Sequence, residues 1–317
     1  MTLLQAANPG ELVYTLLEVL IAVACCLGNA LVVWALWTSV PRQEATFCFI
    51  ASLAVADFLV GAFGVPMSVL VDKRMEVSFH WCLAASCVVL LFPHSSVLAL
   101  LAIAVDRFLR VCIPFRYRSL VTRHRSWWAV AVCWLIAGAL SVAPVLWSSS
   151  LPVSSNSTTE VCEFVKVVTP EFLVYLSFFG GTVAPLMAMM VLYGIIFLVI
   201  KRHLQQGSAE GDRHQSYYKK ERSLLKSLAL VLALFVICWV PLHIMNCLSF
   251  FVSPNVVPKE VVYIGILLSH AHSAVNPIVY AFRIRRIRIA YMHLLQRCIT
   301  HLGKEQSRTS QSHSSKT

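Results

Sequence analysis

The sequence is poor in charge. Only 13% of its 317 residues are Asp, Glu, Lys or Arg, and just 15 are acidic, whereas a soluble domain is about one quarter charged. That shortage excludes an ordinary water-facing globular protein. It also excludes a nucleic-acid-binding reading of the +11 net charge, because no folded soluble surface exists to carry it. An internal repeat is missing, which argues against an inverted-repeat transporter. The first eleven residues lack a basic n-region, so no cleavable signal peptide is evident and the first apolar run is expected to act as its own insertion signal.

What remains is apolar. Residues of that kind make up 58% of the chain, the mean hydropathy is +0.73, and the runs approach the ~20 residues that span hydrocarbon. There are seven such runs, at about 12–37, 46–71, 81–111, 127–148, 169–200, 223–251 and 260–282, which we number helices 1 to 7. The fold class is therefore an all-α membrane protein, a seven-transmembrane helix bundle. All Lys and Arg but Lys73, Arg74, Lys166 and Lys259 fall after helices 1, 3, 5 and 7 or at their ends. This asymmetry places the N-terminus outside and the tail inside, with anionic lipid as a further partner of the basic face.

Most of the eleven cysteines lie within the runs and read as small apolar residues. Two fall on the outer side, Cys82 at the start of helix 3 and Cys162 before helix 5. They are the disulfide candidates, since that face of the membrane is oxidising. "NST" at Asn156 is a glycosylation sequon in the same loop. The chain thus divides into an extracellular N-terminus (1–11), a seven-helix domain (12–282), an amphipathic juxtamembrane eighth helix (283–298) and a disordered cytoplasmic tail (299–317). In the eighth helix Ile284, Ile287, Tyr291 and Leu294 recur at helical spacing opposite arginines, as in a helix lying on a leaflet. Cys298 is its palmitoylation candidate.

Ionisable groups inside a membrane helix cost about 2.5–3.5 kcal/mol each at its centre, so their positions carry information. Helix 1 holds Glu18 and Asn29, helix 2 Asp57, and helix 3 His94, Ser95, Ser96 and "DRF" at 106–108. Helix 4 holds Trp134, and helix 6 "CWVPLHIMN" at 238–246. Ser269, Ser273, Asn276 and Tyr280 step by four, three and four, forming one stripe on helix 7. These groups face the bundle interior. The bland readings stand beside the functional ones: Trp239 and Pro241 kink and pack helix 6, and a lone His94 or His243 is a hydrogen-bonded core residue. The set of Asn246, Phe164 and His270 is less easily assigned to structure alone.

The order of "GN" at 28–29, "LAVAD" ending at Asp57, Cys82 with Cys162, "DRF", Trp134, Pro185 with Tyr193, "CWVP" and "NPIVY" at 276–280 resembles the rhodopsin-like G-protein-coupled receptors over nearly the whole chain. The resemblance implies an activation switch built from Asp106, Arg107, Glu221, Tyr193, Pro277 and Tyr280. In it an Arg107–Glu221 ion pair breaks and the two tyrosines swing inward, with Trp239 as a toggle below the ligand. Phe108 stands where Tyr is usual. "SHAHSAVNPIVY", "MNC" after "CWVPLHI", "CEF" and Glu18 are more closely similar to the adenosine receptors. That likeness implies that Asn246 pairs with adenine, Phe164 stacks on it, and Ser269 and His270 meet the ribose, Glu18 orienting His270. Trp239, His243 and the apolar residues Leu242, Ile266, Val89, Leu90 and Leu173 complete the site.

The chemistry agrees. A carboxamide both donates and accepts, as adenine requires, and a flat heterocycle suits an aromatic face. Asp57, Ser96, Ser273 and Asn276 are the expected sites of an allosteric sodium ion, with a water-filled network as the alternative; no other cofactor is implied. Two departures stand out. Pro93 replaces a threonine that usually meets the ribose, and His272 an asparagine of the sodium pocket. Val165 and the brief tail are similar to subtype three, whereas His243 is commoner in the others.

The expected function is an adenosine-activated receptor of the plasma membrane, not an enzyme. By the same resemblance it couples to an inhibitory G protein that lowers cyclic AMP, with receptor kinase and arrestin acting on the Ser/Thr tail. One rival is a receptor whose ligand Pro93 has altered; another is a transporter using Asp57, Glu18 and the histidines. A membrane enzyme is disfavoured because "HAH" puts His270 and His272 roughly 200° apart on a helix, too far to share a metal.

Overall fold

The computed structural model describes residues 9–39, 45–73, 75–148, 160–162, 164–206, 212–283, 288–289, 291–292 and 296. Seven helices in it are long and apolar enough to cross a membrane: Pro9–Thr38, Thr46–Asp72, Phe79–Cys112, Arg123–Val145, Phe172–Gln205, Ser216–Phe251 and Lys259–Tyr280. They correspond to the seven apolar runs, and we call the end that carries Cys82 the outer end. The fourth and sixth begin earlier than the runs do. Polar residues end an apolar count but not a backbone ladder: the Ser126 N–H and hydroxyl both donate to the Thr122 carbonyl, continuing the turn below Trp127.

Leu20, Leu27 and Leu135 leave well over half of their surface uncovered, as expected where lipid rather than protein is the neighbour. The packed interior is richest toward the inner half, where Leu53, Ile103, Met189, Ile196 and Phe235 are fully buried. Small residues set how close the helices come. A Cβ on Gly61 would lie 2.6 Å from the Cys25 Cβ and 2.7 Å from the Ala22 carbonyl oxygen. The first and second helices therefore touch where no side chain fits.

Two stretches use wider turns, Val60–Gly64 and Phe172–Val183. In each, the closing N–H reaches five residues back, from Val65 to Val60 and from Ala184 to Phe179. A proline follows closely in both cases, Pro66 and Pro185. Proline cannot donate and crowds the carbonyl four residues earlier, and a widened turn relieves that conflict. Pro93 behaves differently: the third helix runs unbroken from Phe79 to Cys112 around it.

At the outer end Glu76–Val77 pairs antiparallel with Glu160–Val161, and the Cys162 N–H donates to the Met75 carbonyl. Cys82 and Cys162 are disulfide-bonded. At the inner end the helix Pro114–Leu120 follows the third span. Asn156, Cys298 and the tail lie outside the described residues, as does most of 283–298. Of that segment Arg283, Arg288, Ile289, Tyr291, Met292 and Gln296 are described, all helical.

Candidate functional site

A cavity of about 240 Å³ opens between the outer halves of the helices. The periodicity of 3.6 delivers its walls. On the sixth helix Trp239, Leu242, His243 and Asn246 lie at i, i+3, i+4 and i+7, and on the seventh Val262, Ile266, Ser269 and His270 lie at i, i+4, i+7 and i+8. Val89, Leu90 and His94 come from the third helix, and Leu173 and Ser177 from the fifth. Phe164 opens the short helix Phe164–Val167, two residues after the disulfide. All eleven residues expected to meet a ligand line this one cavity.

Its polar groups divide by whether the protein satisfies them. The His270 Nδ1 lies 2.8 Å from Glu18 Oε2 and 3.0 Å from Oε1, and Glu18 is fully buried. The carboxylate thus fixes the ring and leaves Nε2 for the cavity. The Ser269 hydroxyl donates to the Ile266 carbonyl at 2.7 Å, so toward a ligand it can only accept. His94 donates through Nδ1 to the Leu90 carbonyl at 2.6 Å and pairs through Nε2 with the Ser177 hydroxyl at 3.3 Å. That is the core role expected of it, although it also lines the cavity. His243 stacks on Phe178, centroids 4.7 Å apart, and its Nε2 pairs with the Thr182 hydroxyl at 3.3 Å. Among the described residues the Asn246 carboxamide makes no hydrogen bond, and Trp239 Nε1 and His243 Nδ1 are buried without partners. Buried polar atoms left open are rare, and a ligand is one way to close them.

Thr182, Ser177, Ser68 and Asp72 also line the cavity and were not expected from sequence. In an α-helix Thr182 would point about 140° away from Ser177. The wide turns return it to the same face, where its hydroxyl donates to the Ser177 carbonyl five residues back. Gly181 gives His94 its room, since a Cβ there would come within 2.6 Å of Nε2.

Below the cavity the Asp57 carboxylate accepts from Ser96 at 2.9 Å, Ser273 at 2.8 Å and Asn276 at 2.7 Å. Three helices meet on one carboxylate. At the inner end Asp106 accepts from the hydroxyls of Thr46 and Tyr117. Arg107 donates to Thr46 and lies 3.4 Å from Asp106 and 3.7 Å from Glu221. Burial, together with the neighbouring Asp106 charge, pushes the Tyr117 phenol up to about 12, which keeps its proton available for that bond. Tyr193 and Tyr280 are buried nearby, the Tyr280 hydroxyl unpartnered, and Pro277 packs 2.9 Å from where a Gly28 Cβ would sit. No group of three or more His, Cys, Asp or Glu able to hold a metal occurs among the described residues.

The family model for the seven-transmembrane receptors of the rhodopsin family matches residues 28–280. The sheep (Ovis aries) adenosine receptor A3 is 39% identical over 288 residues, covering 90% of each chain. The cattle (Bos taurus) adenosine receptor A3 is 38% identical over 296 residues and 93% of each chain. The dog (Canis lupus familiaris) adenosine receptor A3 is 39% identical over 282 residues, covering 88% of this chain and 89% of its own. Helix count, motif order, cavity lining and these likenesses agree: the chain belongs to the rhodopsin family of seven-transmembrane receptors and, within it, to the adenosine receptors.

Proposed function

We propose that this protein is a plasma-membrane receptor, N-terminus outside, that adenosine activates and that signals through an inhibitory G protein to lower cyclic AMP. The observation that carries the reading is the convergence of Asn246, Phe164 and the Glu18-fixed His270 on one cavity. Asn246 has both a donor and an acceptor to spare, and adenine offers the complement. Phe164 supplies the stacking face. His270 Nε2 and the Ser269 oxygen are left for ribose hydroxyls. A cavity of about 240 Å³ falls just below the roughly 300–1,000 Å³ of sites for drug-sized ligands, which suits a compact nucleoside.

Activation requires that the ligand bind one bundle arrangement more tightly than another. Trp239 and His243, each with an open N–H or ring nitrogen, sit on the helix that also carries Glu221. A ligand that repositions the outer half of this helix moves Glu221 relative to Arg107 and frees the guanidinium for a G-protein segment. Kinase phosphorylation of the Ser/Thr tail and arrestin binding complete the cycle. The Asp57 site fits a sodium ion: its carboxylate has only neutral donors, and the buried Asn29 and Asn276 carbonyl oxygens lack partners. Asp57, Ser96, Ser273 and Asn276 would hold it through hard oxygen ligands.

The test is adenosine competition and G-protein nucleotide exchange in cells displaying the full chain. Wild type is expected to respond and Asn246→Ala to lose recognition by about 100-fold, two hydrogen bonds at a desolvated edge. Equal affinity in both overturns the reading. Pro93 lines the cavity without a hydroxyl or N–H to offer, so Pro93→Thr is expected to raise adenosine efficacy.

A further inference from the structure

The acidic groups in the outer half of the bundle do not share one fate. Glu11 pairs with Lys259 at 2.8 Å, and Glu18 with His270 at 2.8 Å. Asp72, on the last turn of the second helix, lines the ligand cavity and has no ion-pair partner among the described residues. Its one hydrogen bond there comes from the Tyr14 phenol, which donates to Oδ2 at 2.5 Å. Tyr14 is held for that task by stacking on Tyr263, with centroids 4.1 Å apart and ring planes 12° apart. Among the described residues, the basic groups nearest Asp72 are engaged elsewhere: Lys259 with Glu11 and the Tyr263 face 5.2 Å away, and the His270 ring with Glu18.

A carboxylate has about four acceptor positions, and one phenol fills one of them. A ligand that places a neutral, non-donating group against this carboxylate leaves it underbonded, at a cost larger than the loss of an ordinary contact. A ligand that brings a positive donor supplies both the missing bonds and the missing charge. Adenosine itself carries no such group.

We propose that Asp72, buttressed by Tyr14, is a cation-recognition corner of the ligand cavity, so that this receptor prefers nucleosides bearing a protonated amine over their neutral counterparts. The proposal rests on the nucleoside reading of the same cavity and adds a ligand class to it. Asp72 and Ser68 come from the second helix and His270 from the seventh, so the amine would extend from the nucleoside toward the gap between those helices.

The experiment uses matched pairs of adenosine derivatives with short chains on the exocyclic amine or on carbon 2, ending in ammonium or in methyl. Their affinities are compared by competition on the full chain, with surface display checked by antibody. In wild type the ammonium member is expected to bind about tenfold more tightly, the effect of one charge-assisted hydrogen bond. Asp72→Asn, which keeps the shape, is expected to bring the ratio to about one, and Asp72→Lys to favour a chain ending in carboxylate. Tyr14→Phe keeps the charge while removing its protein donor, so the ammonium preference is expected to persist or grow. Equal binding of the pair in wild type, or a preference that survives Asp72→Asn, overturns the proposal. If adenosine and all its derivatives fail to compete in wild type, the nucleoside reading falls first and this one with it.

Discussion

The two ends of the bundle treat their polar groups differently. At the outer end Asn246, His243 Nδ1 and Trp239 Nε1 have no partners among the described residues, and His270 is fixed there on one side only. At the inner end Asp106, Thr46, Tyr117, Arg110, Arg107 and Glu221 bond one another into a connected set. The outer end is incomplete until something enters it. The inner end is already joined across its helices, with only the Arg107 and Arg110 Nε atoms of that set and the nearby Tyr280 hydroxyl buried without partners among the described residues. On the proposed reading, signalling satisfies the first at the expense of the second, and the sixth helix, which carries both Asn246 and Glu221, is the element that both ends share.

Breaking that contrast at the outer end should give the largest effect. Glu18→Ala leaves His270 without its carboxylate in a buried site, a loss of the 3–5 kcal/mol class for a broken buried pair, about 100-fold or more in ribose-dependent affinity. Saturation binding of an agonist beside a ligand lacking ribose checks it; equal losses for the two would point to general damage instead. Next comes the inner end. Glu221→Gln removes the more distant partner of Arg107 while keeping the shape, and ligand-free nucleotide exchange is expected to rise about tenfold, roughly 1.4 kcal/mol of population shift. Unchanged basal exchange would mean that the pair does not hold the inactive arrangement.

Gly181→Ala tests the space that lets His94 face Ser177. Overpacking of this kind costs about 1–3 kcal/mol, so surface yield and melting temperature of the purified protein should fall, and with them ligand affinity. Tyr117→Phe should be the mildest. It removes one hydroxyl from the Asp106 set, worth about 1 kcal/mol, and should raise basal exchange less than Glu221→Gln does. The reverse order would place the restraint on Asp106 rather than on Glu221.

Much of the architecture was legible because a membrane leaves a chain few options. Seven runs of lipid-length apolar sequence become seven helices since every backbone group must be satisfied within its own segment. The helix ends were less legible: nothing in apolar counting reveals that Arg123–Ser126 or Ser216–Arg222 extend a ladder already begun. For the cavity, residues at 3.6 spacing on the sixth and seventh helices could be assigned to one face in advance. Thr182 could not, because the Phe172–Val183 turns break that period. Asp72 and Tyr14 escaped notice for another reason. They lie 58 residues apart in sequence, and their bond joins the first helix to the second, a pairing that no local spacing reveals. His94 was legible as a packed, hydrogen-bonded residue, while its place in the cavity wall depends on a glycine one helix away.

The aromatic that would cover a bound purine belongs to no membrane helix. Phe164 follows a loop segment that one covalent bond between sulfur atoms and a two-residue ladder tie to the outer end. A thiol reductant in the surrounding medium could therefore silence the receptor from outside, leaving all seven helices in place while removing the ceiling of the binding chamber. With this loop outside, as proposed, recognition would be conditional on the oxidising state of the fluid that bathes the cell.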